Sequence, residues 1–372
     1  MWASSRRRTR GNVSRGAPRS LAGQQSHTNL ASYMRTTSAL VALLAAASVA
    51  ACSNDSKLQD TAMHAGVAGT NTDTARETGA GGTAGGTAAG AQGASKVKTI
   101  DGFKTPESVR WDASSSQWFV SNINGSPLAK DNNGFISRLK ADGTVESLHF
   151  IQAGKNGVTL NGPKGRAVSG DTLFVADIDA VRAFSKSTGK PLTSWNLAPQ
   201  GAHFLNDIAL GPNGDVYITD TEVAFNADGS TSHTTTDRIF MLNRDRKGAS
   251  IAIQNDSLGR PNGIIWDAKN DRFVVLSFGA PTVVAWAPGS KSVTTLATGK
   301  GQFDGAEITS DGRILVSSWA DSSVSVVNGN ALTHLVTGVE APADIGLDPA
   351  RGLLAIPLFN KGQVELYQLG GR

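Results

Sequence analysis

The sequence predicts an all-β fold, a six-bladed β-propeller with four antiparallel strands in each blade, and three observations support this. One turn-then-strand phrase recurs six times along the chain. The spacing of the copies brackets the length of a four-stranded blade. No stretch between them carries the periodicity of a long amphipathic helix.

The phrase is clearest at PNGIIWD (residues 261–267), followed by RFVVL (272–276). Asn-Gly accepts a positive φ, and the β-branched and aromatic residues after it favour strand, so the pair reads as a turn, a strand, a loop and a second strand. The other copies are PESVRWD with WFVSN, PKGRAVS with LFVAD, LNDIALG with VYITD, FDGAEIT with ILVSS, and PADIGLD with LLAIP. Aligning them on the residue after the leading Pro, Leu or Phe gives Glu107, Lys164, Asn206, Asn262, Asp304 and Ala343. Two residues on come Val109, Arg166, Ile208, Ile264, Ala306 and Ile345, and four on come Trp111, Val168, Leu210, Trp266, Ile308 and Leu347. Apolar residues at alternate positions mean strand, and only Arg166 breaks the first row. Trp111, Trp266 and Trp319 are read as strand residues that pack in the core.

Before the first copy, residues 1–33 hold six arginines and no acid, and are read as an upstream mis-extension or a basic segment without structure. Residues 34–52 have the order of a secretory signal peptide: Met34, one charge at Arg35, an apolar run from Ala39 to Ala51, then Cys52. The run is too short for a bilayer span of roughly 20 residues. Its end, Val49-Ala50-Ala51-Cys52, resembles the bacterial lipobox, which implies export and lipidation of Cys52, the only cysteine. The expected location is the cell envelope, with contact to the membrane through the lipid anchor alone. Loss of the seven arginines up to Arg35 leaves 28 Lys and Arg against 31 acids, a net charge near −3 instead of +4, so the basic pI argues for no nucleic-acid partner. Residues 53–95, rich in Gly, Ala and Thr, cannot bury enough apolar surface to order themselves and form a flexible linker.

Residues 96–372 are the propeller, expected to be a monomer. Ring closure needs one blade built from both chain ends. Lys96–Ile100 is the natural outer strand of the last blade, beside residues 363–367, which removes a free sheet edge. Long intervals after Glu107 and Asn206 place insertions in blades one and three, around SPLAKDNNG and FNADGSTSHTTTD; they are ordinary loops or candidates for a substrate lid.

Equivalent positions in a propeller share one radius and height, so the six register residues form a ring at one end of the axis. Glu107, Asn206, Asn262 and Asp304 are oxygen donors, a set suited to a hard divalent cation with positions left for water and substrate. Each taken alone, Asn206, Asn262 and Asp304 are also ordinary turn residues, whereas Glu107 is a poor one. Lys164 either points outward or binds an anionic substrate. His149, His203, His233 and His334 show no ligand spacing and no paired Ser or Asp that makes a triad. No Walker or dinucleotide glycine pattern follows a strand and opens a helix.

The ordered set of an early Glu after Pro, then FLND, RPNGI and FDG, resembles the senescence marker protein/gluconolactonase family of six-bladed propellers, and the wider group with paraoxonases and diisopropyl fluorophosphatase. The resemblance implies a hydrolase of lactones or esters in which Glu107, Asn206, Asn262 and Asp304 surround a catalytic Ca²⁺ or Zn²⁺. It also implies that Asp304 serves as ligand and base. Lys164, His203 and Asn206 are the candidate substrate contacts. One departure is Phe204, two residues before Asn206, where gluconolactonase-like members carry an Arg that holds a sugar lactone. Phe204 favours an apolar or aromatic lactone over a sugar lactone. The alternative is a non-catalytic propeller of the NHL kind that binds a glycan, peptide or protein.

Overall fold

The chain is described here from a computed structural model, which covers residues 93–225, 231–233, 236–243 and 245–370. The basic segment 1–33, the signal segment with Cys52 and the linker up to residue 92 lie outside the described residues. Six sheets of four antiparallel strands radiate from a common axis. Their inner strands are Pro106–Asp112, Pro163–Ser169, Leu205–Leu210, Pro261–Asp267, Phe303–Ile308 and Gly346–Asp348. These are the six recurring phrases, and each leads outward through the next three strands of its blade.

The sixth blade closes the ring. Its outer strand, Ala94–Ile100, comes from the start of the domain and pairs antiparallel with Gln363–Leu369. The strand begins at Ala94, inside the stretch read as linker, because Ala94 and Ser95 find partners in Leu369 and Gln368. Backbone bonds also cross the seam at the axis: Val109 N donates to Asp344 O at 3.0 Å and Asp344 N to Glu107 O at 2.9 Å. Deleting residues 94–100 strips the outer edge of blade six and uncovers an unpaired strand. The expected result is a lower melting temperature and aggregation of the isolated propeller; a deletion that melts like the parent would overturn this closure.

The apolar core is divided into six clusters, one at each blade interface. Phe174, Val181 and Trp195 of blade two, for example, meet Ile208, Ile218 and Phe240 of blade three. Alternate inner-strand residues face these interfaces, which explains the apolar rows in the sequence. Arg166 occupies its row position and is fully buried. Its guanidinium reaches into blade one and donates to Ser108 O at 2.6 Å, to Ser121 Oγ and to Phe119 O. Burial pulls its pKa down to about 9.

The other alternate row packs backbone on backbone around the axis. A Cβ on Gly165 would stand 2.2 Å from Asp207, on Gly263 2.2 Å from the Asp304 carbonyl oxygen, and on Gly305 2.4 Å from the Asp344 Cα. Only glycine permits that approach.

Candidate functional site

The inner strands of blades one to five share one irregularity. Pairing with the second strand slips between Pro106 and Ser108, Pro163 and Arg166, Leu205 and Ile208, Pro261 and Ile264, and Phe303 and Ala306. A bulge of this kind re-aims the side chain it carries. It falls on the register residue of each blade, and Glu107, Lys164, Asn206, Asn262 and Asp304 are all buried at the axial end of their strands.

These side chains are close enough to perturb one another. Burial pushes the Glu107 carboxyl well above its usual range, and the charges of Asp304 and Asp344 push it further, against the pull of Lys164. Asp304 is raised well above its range by burial first and by Asp344 next. The Trp319 indole and the Asn262 amide lean toward Asp304 and offset part of that rise, though the indole nitrogen closes no well-formed hydrogen bond. Asn206 is oriented from behind: its Nδ2 donates to Thr221 Oγ1 at 3.0 Å, and Thr221 donates to Pro261 O at 2.9 Å.

Below the ring lies a polar layer that the sequence pattern does not reveal. Arg110 donates to Glu307 at 2.9 Å and stands 3.7 Å from Asp207 and 3.6 Å from Asp344. Burial, against the pull of Arg110, lifts Glu307 to about 7, while Asp207 is raised by burial and by Asp344. Asp207 accepts from Ile264 N at 2.9 Å and so ties blade three to blade four.

Described loop residues at this end stand around the mouth. Pro127, in the blade-one insertion, accepts from Lys164 Nζ at 3.2 Å, and Gly162 O accepts from the same ammonium at 3.1 Å. Phe204 covers Lys164, with Nζ 4.3 Å from the ring centroid. Lys164 therefore points neither outward nor freely into the mouth; two carbonyls and an aromatic face hold it beside Glu107. His203 is half exposed, with Nε2 3.9 Å from Glu222 Oε1. His233, in the blade-three insertion, meets Asp237 at 2.6 Å and lies 3.8 Å from Glu222 Oε2. His334 meets Asp321 at 3.1 Å. Both histidines thus have a carboxylate partner, though no Ser joins either pair; the four-residue separation of His233 and Asp237 was the available signal. Trp319 is not a strand residue as expected. It follows the strand Ile314–Ser318 directly and stands at the mouth beside Asp304.

The residues present fit a hard cation. Glu107 Oε2, Asn262 Oδ1 and Asp304 Oδ1 are buried without a hydrogen-bond partner. Leaving such atoms unsatisfied costs about 1–3 kcal/mol each, so three orphaned oxygens in one ring call for a common partner. Charge agrees. Glu107, Asp207, Asp304, Glu307 and Asp344 face Lys164, Arg110 and Arg166, and with all ionised two negative charges are left over. Among the described residues no three His, Cys, Asp or Glu side chains gather as a metal cluster. The ring instead offers two carboxylates and two amides, an all-oxygen set that suits Ca²⁺ better than Zn²⁺.

Six blades around an axis whose mouth carries buried polar side chains define a propeller of the axial-site class. The chain belongs to the SMP-30/Gluconolactonase/LRE-like family, which it matches over residues 105–346. Among solved structures, a gluconolactonase from Xanthomonas campestris superposes with a TM-score of 0.54 at 18% identity, covering 73% of this chain and 87% of its own. A luciferin-regenerating enzyme gives a TM-score of 0.54 at 13% identity over 75% of this chain and 95% of its own. A streptogramin B lyase gives 0.51 at 13% identity over 73% and 97%. At these identities the likeness shows the fold alone. No curated protein matches the chain.

Proposed function

We propose that this protein is a metal-dependent hydrolase of lactones or esters that works at the axial mouth. Glu107, Asn206, Asn262 and Asp304 would hold one divalent cation, Ca²⁺ in preference to Zn²⁺. The observation that carries the reading is the set of orphaned, buried oxygens on Glu107, Asn262 and Asp304. A cation held by these four residues would supply Lewis-acid polarisation of the substrate carbonyl and would offset the charge that develops on its oxygen.

The chain's own residues supply the rest. Asp304, one oxygen of which would face the cation, takes with its carboxylate the proton of a water that attacks the acyl carbon. It returns that proton to the leaving oxygen, so an ester or lactone plus water gives an acid plus an alcohol. Asn206, fixed by Thr221, orients the acyl group, and His203 lines the side of the mouth formed by blades two and three, where Lys164 is held beside Glu107 by two carbonyls. Phe204 and the blade-one insertion narrow that side and exclude water.

Removal of the ion tests this reading. Dialysis against a chelator is expected to abolish hydrolysis of a panel of lactones and aryl esters, and Ca²⁺ is expected to restore it. Hydrolysis indifferent to chelator would remove the cation from the reading, and no hydrolysis with any substrate or ion would favour a propeller that only binds.

A further inference from the structure

Phe278, Trp319 and Phe359 occupy the same place in blades four, five and six, each directly after the second strand of its blade. That position lies at the mouth end, because the second strand runs up from the far side. In blades one, two and three it holds Ile123, Ile178 and Thr221, so the aromatic residues line only one half of the ring. They form a continuous arc. Phe278 and Trp319 meet edge to face with centroids 5.8 Å apart, and Trp319 and Phe359 lie tilted at 5.1 Å.

Two features separate this arc from ordinary core. None of the three belongs to the six interblade clusters, and each remains only half buried. In addition, Trp319 Nε1 is buried and has no hydrogen-bond partner, although a buried indole N–H usually finds one. The donor leans toward Asp304, where the proposed chemistry takes place, without closing a well-formed hydrogen bond to it.

We infer that the Phe278–Trp319–Phe359 arc is a subsite for an aromatic ring of the substrate, and that Trp319 Nε1–H donates to the oxygen of its scissile acyl group. An aryl ester or a benzo-fused lactone has this chemistry: a flat π-face to lie against the arc, and a carbonyl within reach of the indole. Blade two, which carries Lys164, lies across the ring from blade five. The aryl group therefore has an aromatic half of the mouth to occupy and leaves the half across the ring to the polar end. Phe204, on the blade-three side, adds a further aromatic face. This inference rests on the axial mouth being the place of chemistry.

The test separates binding from turnover. The Ca²⁺-loaded protein is titrated calorimetrically with two lactams that resist hydrolysis, 3,4-dihydro-2-quinolinone and δ-valerolactam, which share one ring carbonyl and differ by the fused benzene. Wild type is expected to bind the benzo-fused lactam about tenfold more tightly. Phe359→Leu and Trp319→Leu should erase that preference, whereas Trp319→Phe should keep it and weaken both lactams alike through loss of the N–H. Melting curves for each variant establish that it is folded. Equal affinity of wild type for the two lactams, or a preference unchanged in both Leu variants, overturns the subsite. Turnover is read separately with dihydrocoumarin and δ-valerolactone. Preferential lactam binding without hydrolysis of either lactone overturns the hydrolase reading and leaves the aromatic subsite standing. Hydrolysis without aryl preference does the reverse.

Discussion

Asp304→Asn is expected to lower lactone or ester turnover by about three orders of magnitude, the usual worth of a positioned general base, while the cation stays bound. The substitution keeps an oxygen donor at the same place and removes only the group that accepts the proton. Asp304 has a free oxygen, lies beside Trp319 and Asn262, and is the register residue of blade five. Glu107→Gln should divide the effects the other way. It removes a negative charge from the ring and is expected to weaken Ca²⁺ by at least about tenfold, with turnover largely recovered at saturating ion. Calorimetric titration of Ca²⁺ and steady-state kinetics at several ion concentrations read both variants. Asp304→Asn with wild-type turnover removes Asp304 as base, and unchanged Ca²⁺ affinity in Glu107→Gln removes Glu107 as ligand.

Gly263→Ala carries the largest expected effect on the fold. The added methyl would lie 2.2 Å from the carbonyl oxygen of Asp304 and 3.1 Å from the Cα of Gly305. Both obstacles are backbone, so no rotamer relieves them and the inner strands of blades four and five must part. Overpacking of this kind is expected to cost about 3 kcal/mol, which lowers the melting temperature by about 5 °C in a domain of this size. The same displacement moves Asn262 away from Asp304, and turnover should fall by about a hundredfold in molecules that remain folded. Gly248→Ala is the control, because its nearest neighbour is a side-chain nitrogen at 3.6 Å. A Gly263→Ala protein that melts and turns over like wild type would show that the inner strands have slack at the axis.

The two variants probe different kinds of information. Asp304 and Glu107 are legible in the sequence because a propeller repeats one geometry six times. A residue out of character at the register position, such as Glu after Pro, stands out beside two rows that are apolar in almost every blade. Blade number, strand order within each blade and ring closure follow from the same repetition. Gly263, Gly165 and Gly305 follow the register residues and look like turn glycines, and nothing local says that a neighbouring strand lies against them.

What the sequence alone determined was the repeat: the period of two within each strand, the spacing between blades, and the ring of oxygen donors at one register. These are local or periodic properties, set by strand geometry and turn chemistry. The tertiary structure decided everything that depends on which residues meet across the ring. It put Arg110 against Glu307, 197 positions apart. It placed two carbonyls and Phe204 around Lys164, took Trp319 out of the core and set it beside Asp304, and buried Arg166 in a row of aliphatic residues. Such contacts carry no periodic signature, because they arise only when six sheets close on one axis and the desolvated charges and donors there must find partners in other blades.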